Sequence, residues 1–181
     1  YDKEKDNLKD WLDQLVLSED AMYKNRVKFV WDPFVGEETI RLAGSVKVSF
    51  SAAIDRQTAI LSAMLVDLGE DRRITAEEVA CGDDSFCFGL EAEPSSYKVI
   101  SRGWLNAQNR TCLWSKEAIV PGETYSYHFE MVPTDHTLKK GHKLALILYG
   151  IDAEETQRPD TVTKISVDVS TIQIEVPLLR S

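Results

Sequence analysis

From about Val27 onward, apolar and polar residues alternate with period two, and that pattern selects folds built from half-buried strands. Ile40, Leu42, Gly44, Val46, Val48 and Phe50 alternate with Arg41, Ala43, Ser45, Lys47 and Ser49, which predicts one long strand. Tyr125, Tyr127, Phe129 and Met131 alternate with polar residues in the same way. Ile165, Val167 and Val169 hold one phase, and Ile172, Ile174 and Val176 hold the other. The switch at Ser170-Thr171 predicts a bulge or a new strand. Ala59 to Leu68 is almost continuously apolar, as a strand buried on both faces would be, and Gly69 is expected to end it. Tyr97 to Trp104 and Lys143 to Tyr149 read as further strands. Pro121-Gly122 suits a type II turn, and Lys139-Lys140-Gly141 marks another. Helical pattern is scarce in this region, with a short helical turn expected at Thr75 to Val79. Seven or eight strands with turn signals predict an all-β chain, a jelly-roll β-sandwich of the galactose-binding-like type.

The first residues follow a different rule. Leu8, Trp11, Leu12, Leu15 and Val16 recur at helical spacing, with Asp6 as N-cap and Lys9, Asp10 and Asp13 on the other face. Such a face must be covered. Either the helix packs on its own domain, or Trp11, Leu12 and Leu15 belong to a surface that docks on a neighbouring region. The expected division is a helical segment over 1–30, the tail of a preceding region, and the jelly roll over 31–181. The chain begins with Tyr1 rather than Met, so it is expected to be cut from something longer.

A chain of 181 residues can bury a full core without metal or disulfide support. Lys and Arg number 21 against 30 Asp and Glu, a net charge of −9, which argues against nucleic acid or an anionic membrane as partner. No apolar run has the roughly 18–20 residues of a membrane-spanning helix. The first ten residues are too polar for a signal peptide. A cytoplasmic location is expected, in keeping with reduced cysteines. Cys81, Cys87 and Cys112 are read as free thiols, with a Cys81–Cys87 disulfide as the alternative.

A search for chemistry yields little. His128 falls on the polar face of its strand, His136 in a loop and His142 at a strand start, and all three read as structural or exposed. No Gly-x-Ser-x-Gly elbow is present. A calcium loop at Gly82-Asp83-Asp84-Ser85 is conceivable on oxygen-ligand grounds alone. Trp104 and Trp114 flank Asn106, Gln108, Asn109 and Arg110, a combination that suits a sugar platform. A carbohydrate-binding module is therefore the alternative function. No catalytic, cofactor-binding or metal-binding residue is nominated, and no cofactor is expected. An independent enzyme would instead need a pocket holding His136 or His142 beside a perturbed acid or nucleophile.

One series of residues is more specific. Arg102-Gly103-Trp104-Leu105-Asn106-Ala107-Gln108-Asn109-Arg110 is followed by Pro121-Gly122-Glu123-Thr124-Tyr125, then Pro133-Thr134-Asp135, then Gly141-His142-Lys143-Leu144. This order resembles the C-terminal domain of Xaa-Pro dipeptidyl-peptidases, which also ends the cocaine-esterase-like hydrolases, and the likeness covers about residues 35 to 181. The resemblance implies a non-catalytic domain of a serine exopeptidase that removes X-Pro dipeptides from peptide N-termini. The Ser-Asp-His triad would lie upstream, on an α/β-hydrolase domain that is the expected partner; a homodimer is a further expectation for the parent enzyme. Arg102, Gly103, Asn106, Arg110, Pro121, Gly122, Tyr125, Asp135, Gly141 and His142 would then specify the fold. Gly103 and Gly141 would permit close approach or special backbone geometry. Arg102 and Arg110 would pair with carboxylates or cap carbonyls. Asn106 would satisfy a turn, and the Tyr125 hydroxyl would anchor a loop.

Overall fold

The structure is a computed structural model that describes residues 8–19, 25–33, 39–80, 86–157 and 161–179, with the backbone alone over 75–80 and 86–91. Asp6, Cys81, the Gly82–Ser85 loop and the Cys87 side chain fall outside the described residues, and with them the N-cap, disulfide and calcium readings.

In chain order the elements are helix α1 (Leu8–Leu17), β1 (Arg26–Val30), β2 (Ile40–Gly44), β3 (Lys47–Ile54), β4 (Ile60–Ala80), β5 (Phe86–Asn106), a 3-10 turn at Ala107–Asn109, β6 (Thr124–Glu130), β7 (Thr134–Leu138), β8 (Lys143–Tyr149), β9 (Ile165–Glu175) and β10 (Leu178–Leu179). The strands form three antiparallel sheets, ordered β1-β8-β4-β5, β10-β2-β7 and β6-β3-β9. The chain is an all-β sandwich with one short N-terminal helix.

The four-stranded sheet is buried on both faces, which explains the apolar run in β4. Leu61, Ala63 and Leu65 join Leu146 and Leu148 in the main core, together with Val48, Phe50, Tyr127 and Phe129 from β3 and β6. Met64, Val66, Ala145, Ile147 and Tyr149 point the other way and meet Leu15 and Val16 of α1. The helix therefore packs on its own sheet. Leu15 is 2% exposed and Val16 is fully buried, so Leu15 does not belong to an outward docking face. Burying each of these side chains stabilises by roughly 1.5–3 kcal/mol. Polar ties fix the helix: the Tyr97 hydroxyl donates to Asp13 at 2.7 Å, and Lys28 Nζ donates to the Val16 carbonyl at 2.6 Å, where the last helical carbonyls lack partners. β1 pairs with β8 from Arg26 to Val30, so the second described element of the first thirty residues is a sheet strand.

Other strand expectations change. The alternation over 40–50 is two strands, because Gly44 takes φ +127° and the chain passes from β2 in one sheet to β3 in another. Gly69 does not end β4. Thr75 to Val79 is not helical but paired with Glu91 to Cys87 of β5, as part of a long two-stranded arm. Cross-strand bonding overrides the weak local pattern there. The phase switch at Ser170-Thr171 is a bulge in β9, where pairing jumps from Ser49↔Gln173 to Ser51↔Asp168. The Ser51 amide donates to Thr171 Oγ1 and the Ser170 amide to Asp168 Oδ1, at 2.8 and 3.0 Å.

Candidate functional site

A buried polar cluster surrounds Asp67, the one acid in the apolar stretch of β4. Bulges at Leu65/Val66 and Leu68/Asp71 flank it. Asp67 is 2% exposed. Its Oδ1 lies 2.8 Å from His142 Nδ1, and its Oδ2 lies 2.9 Å from His136 Nε2. Arg73 Nη2 stands 3.6 Å from Oδ2, while Arg73 Nη1 donates to the Ser95 carbonyl at 2.8 Å. Burial pushes the Asp67 carboxyl up, but hydrogen bonds from the two imidazoles outweigh it and hold the group below the usual carboxylate range.

Backbone geometry delivers His142 to this carboxylate. The turn is closed by the His142 amide donating to the Lys139 carbonyl at 3.1 Å, with Gly141 at φ +84°. The ring then packs against Gly69. A Cβ on Gly69 would stand 2.5 Å from the ring Cγ and 2.7 Å from Nε2, so only glycine fits.

An open cleft of about 310 Å³ borders this cluster, with His136 and Asp67 beside Asp71, Arg72, Arg73 and Lys98. An independent enzyme was expected to show such a pairing of histidine and perturbed acid. The chemistry is incomplete, however. A depressed carboxylate accepts only, and here its oxygens are taken by two imidazoles and approached by a guanidinium. Among the described residues no serine or cysteine lines the cleft. The arrangement ties β4, β7 and the start of β8 together.

The other motif residues lie apart from this cluster. Arg102 projects from β5 toward Asp152, at 3.5 Å, and also bonds Glu154. Asp152 is fully buried and accepts from the Tyr149 hydroxyl at 2.5 Å and from the Glu154 and Glu155 amides at 2.9 and 3.2 Å. Burial opposes the Arg102 charge, but the bond to Glu154 and the charge of Asp152 prevail and raise its pKa. Burial, then the bond to Asp152, pushes the Tyr149 phenol up. Gly103 meets the chain after β6: a Cβ there would lie 2.9 Å from Met131 Cα and 3.0 Å from the Glu130 oxygen.

Asn106, Arg110, Pro121, Gly122 and Tyr125 organise the segment from 106 to 125. Asn106 caps the 3-10 turn by accepting from the Gln108 amide at 3.0 Å. Arg110 caps the carbonyls of Glu117 and Ala118 at 3.3 and 3.2 Å, bridges the Glu117 carboxylate at 2.8 Å, and lies 4.4 Å over the Tyr125 ring. The Tyr125 hydroxyl accepts from the Val120 amide at 3.2 Å and donates to Glu123 at 2.9 Å. Gly122 sits at φ +86° after Pro121, and the Glu123 amide closes the turn on the Val120 carbonyl at 3.1 Å. Asp135 forms an exposed two-bond pair with Arg41, which holds its carboxyl below the usual range.

The sugar platform fares poorly against this geometry. Trp104 is half-buried with a buried Nε1, while Trp114 is 89% exposed. The Asn106, Asn109 and Arg110 side chains are engaged within their own loop. His128 is exposed, as its place in the alternation required, whereas His142 is buried. Cys112 is a free, half-buried thiol. Two structural groups, Asp67 and Asp152, escaped the sequence reading, and Asn109 was read for a sugar platform and not as a brace of its own loop. Only Asp67 carried a signal, being a charge inside an apolar strand.

Among the described residues no group of three or more His, Cys, Asp or Glu is arranged to hold a metal ion, and no helix is long and apolar enough to cross a membrane. Solved structures share the fold. They include an aminopeptidase from a marine sediment Thaumarchaeota archaeon (TM-score 0.61, 14% identity, 88% of this chain and 27% of that one). An α-amino acid ester hydrolase follows (0.58, 16%, 86% and 26%), then a CocE/NonD family hydrolase from Staphylococcus aureus (0.57, 15%, 85% and 30%). Among curated relatives, the Xaa-Pro dipeptidyl-peptidase of Lactiplantibacillus plantarum is 33% identical over 195 residues, covering 99% of this chain and 24% of its own length. That of Lacticaseibacillus paracasei is 29% identical over 189 residues, covering 98% and 24%. The chain thus spans about a quarter of the length of these relatives. The family described as the X-Pro dipeptidyl-peptidase C-terminal non-catalytic domain matches residues 2–177, and the chain belongs to that family.

Proposed function

We propose that this chain serves as the C-terminal jelly-roll domain of a cytoplasmic serine exopeptidase that releases X-Pro dipeptides. In this reading it packs on an upstream α/β-hydrolase domain, shapes substrate access and itself performs no chemistry. The α1 segment is where the polypeptide enters from that catalytic region. The family's motif residues specify the domain's fold, and neither nucleic acid nor membrane is a partner. A homodimeric parent is part of the same proposal.

The observation that carries the reading is where the motif side chains go. Arg102, Asn106, Arg110, Tyr125 and His142 each bind groups of this domain's own chain. A catalytic constellation would instead converge on one cleft.

The test is an X-Pro-anilide cleavage assay on the parent chain carrying His136→Gln. Glutamine can still donate to Asp67, so the fold is kept. The expected kcat stays within about twofold of the parent. A loss of about 10⁴-fold, the usual effect of removing a catalytic triad member, would return the Asp67 cleft to candidacy as an active site.

A further inference from the structure

The loop after the 3-10 turn is built in an unusual way. Asn109 Nδ2 donates to three carbonyls, of Cys112, Leu113 and Ser115, at 3.3, 3.0 and 3.2 Å. The Ser115 amide also donates to Cys112, and the Glu117 amide donates to the Gln108 carbonyl at 2.7 Å. Arg110 clamps the returning strand of the loop, and Ile119, 3% exposed, plugs it into the main core. At the tip of this braced loop stand Leu113, 69% exposed, and Trp114, 89% exposed.

Internal bonding fixes the backbone at a tip whose largest side chain touches little of its own domain. Bracing an exposed Trp in advance lowers the entropy lost when a partner covers it. Trp is also the residue type most often found at the energetic centre of an interface. We propose that Leu113 and Trp114 are the anchor by which this domain seats on the catalytic region of its parent chain.

The size of the patch selects that occupant. Leu113 and Trp114 together offer roughly 200–300 Å² of apolar surface. A second copy of the chain would need about 800 Å² per partner for a stable interface. A region tethered on the same polypeptide is held at an effective concentration near millimolar, so a small anchor suffices. The relatives carry about three times this chain's length outside the matched part, which supplies such a region. The inference rests on the reading of the chain as one domain of a larger hydrolase.

Hydroxyl-radical footprinting of the parent chain tests it, comparing Trp114 oxidation in native and urea-unfolded protein. An anchored Trp114 is protected at least tenfold. Protection near onefold, as expected for a ring as exposed as in this structure, overturns the proposal. So does protection that disappears on dilution to monomers, which assigns the tip to a second copy. The X-Pro assay separates the two readings. Cleavage with an unprotected Trp114 removes the anchor alone, and a protected Trp114 in a parent without X-Pro cleavage removes the peptidase reading alone.

Discussion

Gly69 and His142 lie 73 positions apart in sequence, yet each determines what the other can be. The imidazole occupies the space of the missing Cβ and reaches Asp67 from there. Gly69→Ala should therefore displace the ring and destabilise the domain by about 1–3 kcal/mol, the range for overpacking a close-packed site. In a His142→Ala background the same substitution should change stability by less than about 0.5 kcal/mol, since the obstacle is gone. Urea unfolding of the four proteins measures this, and an additive cycle would refute the coupling. The Asp67 carboxylate adds a pH dependence. Its folded pKa lies below its unfolded value of about 3.9, so its stabilisation is complete above that value and is lost as pH falls through the folded pKa. Asp67→Asn should cost about 3–5 kcal/mol at pH 7, the range for breaking a buried ion pair. The gap between the two proteins should narrow below about pH 4. An unchanged gap between pH 7 and pH 3 would assign the loss to packing instead of charge.

Elements built from short-range pattern were readable from residues, and elements built from long-range contact were not. Alternation placed β6, covered β2 and part of β3 as a single strand, and marked the irregularity of β9 without choosing between a bulge and a new strand, because one buried face imposes period two on any strand. The double burial of β4 was visible as an unbroken apolar run. Where the run ended, the pattern failed. Residues after Gly69 continue β4 only because β5 pairs with them, and nothing local records that pairing. The Asp67 cluster was hidden for the same reason, since its two histidine partners come from β7 and the turn before β8. Asn109 and Asp135 show that a place in a motif does not measure an energetic role. Asn109 holds three carbonyls within one loop, so Asn109→Ala should cost about 1–2 kcal/mol. Asp135 pairs with Arg41 in the open, both side chains being 57% exposed, so Asp135→Ala should cost less than Asn109→Ala. Thermal melts of the two variants that ranked them in the opposite order would overturn this division.

At the scale of the whole molecule, the sandwich has three layers, and the middle one depends on both neighbours. β4 and β8 alternate large apolar side chains toward the main core and toward α1, so neither face of this sheet can meet water without loss. The amphipathic stripe over residues 8–16 announced that something must cover it, but a stripe carries no address. Its own sheet and a docking partner would leave the same spacing in the sequence. The structure resolves the choice for Leu15 and Val16, which close the second core against Met64, Val66, Ala145, Ile147 and Tyr149. Trp11 adds an edge contact to the Tyr149 ring, with centroids 6.2 Å apart. If α1 is a layer of this fold, Leu15→Ala should lower unfolding stability by about 2–5 kcal/mol, because its cavity would be closed in by the sheet. A domain's total stability is only about 5–15 kcal/mol, so that single truncation would remove a large part of it. Trp114→Ala, at the tip of the braced loop, should change the domain's own stability by no more than about 0.5 kcal/mol, since so exposed a ring has few internal contacts to lose. Urea unfolding of both variants of this domain separates the two roles. Leu15 belongs to the interior and the Trp114 ring does not, and a neutral Leu15→Ala would mean that α1 is not a layer of this fold.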